Sequence, residues 1–126
     1  MSLPNPTDAE LAVLKVLWDR GPSTVRQVHD VLRTERDLGY TTVLKALQVM
    51  TDKGLVARDE AQRSHVYRTT RTEVQTQRTL LGDLMERAFG GSAASLVIQA
   101  LSTREASREE MAEIRRMLDE AQGGQP

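Results

Sequence analysis

A chain of 126 residues that is 39% hydrophobic but only 3% aromatic makes one domain, or one small domain with an appendage, around a modest aliphatic core. The absence of cysteine excludes disulfides, thiolate metal sites and cysteine catalysis. A net charge of −1 excludes a bulk basic signature: residues 1–70 hold 10 Lys/Arg against 9 Asp/Glu and residues 71–126 hold 7 against 9, so any DNA contact must come from locally placed cations.

Thr7-Asp8-Ala9-Glu10 has the form of a capping box, in which Thr7 caps forward and Glu10 reaches back. It predicts a helix to about Arg20, with Leu11, Leu14, Leu17 and Trp18 at helical spacing, ended by Gly21-Pro22. Thr24-Val25-Arg26-Gln27 repeats the form and opens a second helix to about Glu35, with Val25, Val28, Val31 and Leu32 inward. After a short polar turn, Gly39–Gly54 predicts a third helix. At about 100° per residue, Val43, Ala46, Leu47 and Met50 fall on one face and Thr41, Lys45, Gln48 and Asp52 on the other. Thr41 or Thr42 is expected to cap it, and Gly54 to close it.

Leu55–Glu60 and Ser64–Thr69 alternate with a period of two around a polar turn at Ala61-Gln62-Arg63, which predicts a β-hairpin. Three helices and a hairpin make a winged helix-turn-helix over residues 1–70, with the third helix as reading element. Thr70-Arg71-Thr72-Glu73 is expected to be another capping box, opening a helix to about Phe89 that Gly90-Gly91 breaks. A short apolar helix over Ser92–Leu101 follows, then a last helix opened by Ser107-Arg108-Glu109-Glu110, and the tail 123–126 is expected to fray. Their apolar stripes, with Leu81 and Leu84, then Leu96, Val97 and Leu101, then Ile114 and Leu118, make a poor core alone. Two copies would bury them, so residues 71–126 are expected to be a helical dimerisation region. The fold class is thus mainly α with a small β-hairpin.

Thr41, Thr42, Lys45, Gln48 and Val49 form the expected groove-facing set. Threonine, glutamine and lysine can reach base edges or phosphates, and valine a thymine methyl. Arg26 on the second helix and Arg58, Arg63 and Arg68 on the wing suit backbone phosphates, though each serves equally well as a solvated surface arginine. Trp18 and Tyr67 read as core anchors, His65 as a packed partner of Tyr67, and Leu44 as flanking the outward face. With His29 and His65 as the two histidines, no metal site is expected, and no cofactor. No nucleophile elbow, phosphate loop or HExxH is present, so catalytic residues are not expected and an enzyme is disfavoured. No apolar run has the length of a signal peptide or bilayer span, which points to a cytoplasmic protein without direct membrane binding. The competing reading is a winged-helix module whose outward face docks on another protein, kept open by the near-neutral charge of residues 1–70.

The stretches PTDAELAVLKVLW at 6–18, STVRQVHDVL at 23–32, GYTTVLKALQVMTDKGLV at 39–56, RSHVYR at 63–68 and GGSAASLVIQAL at 90–101 resemble the BlaI/MecI/CopY penicillinase-repressor family of bacterial transcription factors. The resemblance covers nearly the whole chain in order. It implies a homodimeric repressor that binds a dyad-symmetric operator in double-stranded DNA and controls resistance or homeostasis genes. Members that sense β-lactams are cleaved at an Asn-Phe pair in the dimerisation helices after a membrane sensor-protease signals. Here the matching place after Ser95-Leu96-Val97-Ile98 is Gln99-Ala100, the candidate cleavage region, so that release step does not carry over directly, and release by a small ligand stays open beside it. The copper-responsive branch uses C-terminal cysteines, which this chain lacks. Many relatives also carry Arg where this chain has Val49.

Overall fold

In the computed structural model, residues 4–61 and 63–123 are described; Gln62 of the hairpin turn and 124–126 of the tail lie outside them. Helix α1 (Asp8–Arg20) opens on the expected box: the Glu10 amide donates to Thr7 Oγ1 at 3.2 Å and the Thr7 amide to Glu10 Oε1 at 2.9 Å. It buries Ala12, Val13, Leu14, Val16 and Leu17 and stops at Gly21, whose φ of 86° suits a residue without Cβ. Helix α2 (Val25–Glu35) opens the same way, on Thr24 and Gln27, and turns Val25, Val28 and Leu32 inward. Helix α3 (Tyr40–Lys53) buries Val43, Leu47 and Met50 against both, and Gly54 closes it in the left-handed conformation.

The sheet has three strands rather than the two of a hairpin. Strand β1 (Ser23–Thr24), the residues just ahead of α2, pairs antiparallel with β3 (Val66–Thr69), which pairs in turn with β2 (Val56–Asp59), in the order β1-β3-β2. Both hairpin strands are shorter than their alternation suggests. Leu55 is buried but precedes β2, and Ser64 and His65 are exposed ahead of β3. Tyr67 is the anchor expected of it, 2% exposed in the core. Trp18 packs against that core half-buried, and its indole N–H donates to the Arg71 carbonyl at 3.0 Å.

Two expected caps move. No side chain caps α3: Gly39 takes the cap position, so Thr41 and Thr42 lie inside the first turn and not ahead of it. The box before α4 (Glu73–Ala88) is Thr72 with Gln75, at 3.1 and 2.9 Å, instead of Thr70 with Glu73. The Thr70 hydroxyl is already engaged, donating towards the carbonyls of Gly54 (2.7 Å) and Leu55 (3.1 Å), which ties the end of the wing to the end of α3.

The chain divides into two compact units, Met1–Leu81 and Gly82–Pro126, so by packing the first reaches past residue 70 into the first turns of α4. In the second, α5 (Ala93–Thr103) starts at Ser92, whose hydroxyl accepts the Ser95 amide, and α6 (Arg108–Gly123) starts on the Ser107–Glu110 box. No described residue of α5 or α6 is buried. Leu84, Val97, Ile98, Leu101, Met117 and Leu118 are exposed, and Leu96 and Ile114 only half-buried.

Candidate nucleic-acid interface

The two sides of α3 differ sharply. Val43, Leu47 and Met50 are at most 1% exposed, whereas Thr41, Thr42, Lys45, Gln48 and Val49 are all exposed. One periodicity therefore fixes the helix to the core and presents the expected reading set together. At the far end Lys53 bonds Glu10 of α1, which pins the helix against rotation about its axis. Burial raises the Glu10 pKa, but the Thr7 amide and the Lys53 ammonium outweigh it and hold the carboxyl below its ordinary range. Leu44 is half-buried against the core on the flank of this face.

Beside the first turn of α3 lies a groove of about 360 Å³ between the start of α2 and the wing, lined by Arg26, Tyr40, Leu44, Arg63 and His65 among others. Its described lining contains two arginines and no carboxylate, in a unit whose overall charge is nearly balanced. This is the local cation placement that composition could not reveal. Tyr40, the first residue of α3, is 43% exposed there. The Arg26 guanidinium stands 6.0 Å over its ring, and the His29 ring meets it edge-on at 5.7 Å and 82°.

The wing arginines do not lie together. In the β2–β3 register Arg58 lies opposite Tyr67 and Arg68 opposite Ala57, so the two side chains leave opposite faces of the sheet. Arg58 is paired with Glu60, and hydrogen bonding to Tyr67 first, then Glu60, raises its pKa further. Arg68 lines a different concavity with Trp18, Gly21, Pro22 and Arg71. Of the three wing arginines Arg63 lines the groove with Arg26, while Arg68 lines the other concavity because β pairing sets its side. His65 joins Arg63 at the groove, where it is exposed.

Sequence reasoning leaves Tyr40 out of the groove-facing set and weighs His29 only as a metal ligand. The available signal was spacing: Tyr40 and Leu44 are one turn apart on α3, and Arg26 and His29 are three apart on α2. Among the described residues no cluster of three His, Cys, Asp or Glu side chains could hold a metal ion, and no helix is long and apolar enough to cross a membrane.

Residues 6–120 match the family model of the penicillinase repressor. The chain is 36% identical over 122 residues to the transcriptional regulator BlaI of Mycobacterium tuberculosis, covering 93% of this chain and 85% of that one. It is 25% identical to the penicillinase repressor of Bacillus licheniformis, covering 94% and 92%. Among solved structures it is similar to the monomeric form of Bacillus licheniformis BlaI in complex with the blaP half-operator. The TM-score there is 0.51 at 26% identity, over 57% of this chain and 88% of that one. These relatives are transcriptional regulators, not enzymes. The chain belongs to the penicillinase-repressor family and is a BlaI-like transcriptional repressor with a winged-helix DNA-binding domain.

Proposed function

We propose that the chain is a homodimeric repressor that occupies a dyad-symmetric operator, with α3 of each copy in a major groove. The observation that carries this reading is the exposed row Thr41, Thr42, Lys45, Gln48 and Val49 beside a groove bordered by Arg26 and Arg63, with no carboxylate among its described lining residues. The row would meet base edges, Val49 a thymine methyl, and the two arginines the phosphates of the flanking strand. Residues 1–70 supply the DNA-binding domain and 71–126 the dimerisation region. The exposed leucines of α4 and α5, together with Ile114 and Leu118 of α6, supply the apolar area that a second copy would cover.

The regulated genes are resistance or stress genes, in keeping with the Bacillus licheniformis relative named as a penicillinase repressor. Gln99 and Ala100 are exposed within α5, so a break there, or a ligand that disturbs α5, would release the operator by weakening the dimer. A membrane sensor-protease is the partner for the first route. Footprinting of the purified protein on its own promoter at two salt concentrations tests the proposal. A protected dyad whose affinity falls steeply with salt is expected. No protection, or equal binding to unrelated DNA, would replace it with the protein-docking reading.

A further inference from the structure

Tyr40 lies outside the expected contact set, yet one of the two arginines that line the groove stands over its ring. The Arg26 guanidinium stands 6.0 Å over the ring, and the His29 ring packs on it in a T-shaped arrangement at 5.7 Å and 82°. Arg26 and His29 are three residues apart on α2, so one face of that helix presents both to the same ring. The ring belongs to the first turn of α3, whose inward face is locked in the core. The guanidinium is thus referenced to the reading helix and not only to its own. An exposed arginine otherwise samples many rotamers, and ordering them on binding costs affinity. Among the described residues the Arg26 side chain forms no ion pair, and the described groove lining holds no acid. Nothing there competes with an incoming anion.

Resting on the DNA-binding reading above, we propose that Tyr40 is a positioning residue for operator DNA. Its ring face holds Arg26 preordered towards a backbone phosphate in the groove that Arg63 borders from the wing. The ring carries the effect, and the hydroxyl is not required.

The test uses the full-length protein and the operator found by footprinting, titrated at several salt concentrations. Arg26→Ala should lower the slope of log affinity against log salt by about one phosphate per half-site. Tyr40→Leu should weaken binding about threefold per half-site, about tenfold for a dimer, while Tyr40→Phe stays within about twofold of the parent. In the Arg26→Ala background, Tyr40→Leu should have no further effect, which a merely structural role of Tyr40 would not produce. Independent, multiplying effects of the two substitutions overturn the proposal, as does an equal loss in Tyr40→Phe and Tyr40→Leu. If Tyr40→Leu lowers the melting temperature, the Arg26→Ala slope and the Tyr40→Phe affinity decide, and an unchanged slope counts against it. Normal parent binding with Tyr40→Leu unchanged overturns this proposal alone. Failure of the parent to bind a dyad overturns the DNA reading and this proposal with it.

Discussion

Lys53 Nζ lies 3.1 and 2.9 Å from the two carboxylate oxygens of Glu10, so the residue that closes the capping box of α1 also holds the last turn of α3. Glu10 is 5% exposed, while the Lys53 side chain is 30% exposed. One buried carboxylate therefore serves two helices, and its removal affects both.

Glu10→Gln is expected to destabilise the first unit by about 2 kcal/mol at neutral pH, less than a fully buried pair would lose because Lys53 is partly solvated. The folded pKa of Glu10 is depressed, so its contribution is fully present above the ordinary value of 4.5 and is lost as pH falls through the folded value. Urea unfolding at several pH values checks this. The parent should lose stability relative to Glu10→Gln below about pH 4.5, and parallel curves would remove the ion pair from the account.

Lys45→Ala should weaken operator binding by about 1–3 kcal/mol if the lysine reaches a base, with the melting temperature unchanged because the side chain is exposed. A mobility-shift titration against operators changed one base pair at a time distinguishes a base contact from a phosphate contact. The first relaxes preference at one position, and the second weakens all sequences alike.

Val97→Asp together with Leu101→Asp should give a monomer in sedimentation and leave the winged-helix unit folded, since neither residue belongs to the buried core. A dimer that survives both charges would place the interface elsewhere.

Gly82→Ala should stabilise the chain by roughly 0.5–1 kcal/mol, because Gly82 is inside α4 and a Cβ there meets nothing within 4 Å. Denaturant unfolding at fixed protein concentration checks the sign. Destabilisation would mean that another backbone passes close to this glycine in the assembled protein.

Much of this architecture was legible in the sequence because its signals are local. The boxes at Thr7, Thr24 and Ser107 need only a hydroxyl and an acid or amide three residues on, and the stop at Gly54 needs only a residue at ease with a φ of 83°. What escaped depends on distant partners. Thr70 has the sequence of a cap, but its hydroxyl is drawn to Gly54 and Leu55 across the end of the wing. Strand β1 is two residues long, too short to show alternation, and exists because β3 has a free edge beside it. The grouping of Arg26 with Arg63, and the departure of Arg68 to another concavity, follow from register and helix packing that no single segment contains.

Strand β1 has a mechanical consequence. Thr24 faces Val66 in the sheet while its hydroxyl accepts the Gln27 amide, so one residue belongs at once to the wing ladder and to the first turn of α2. Opening the ladder at Val66 and Tyr67 removes the support of that cap, and fraying of the cap loosens the ladder. The wing and the root of α2 are therefore expected to exchange their amide hydrogens for deuterium as one unit, which hydrogen-exchange measurements check.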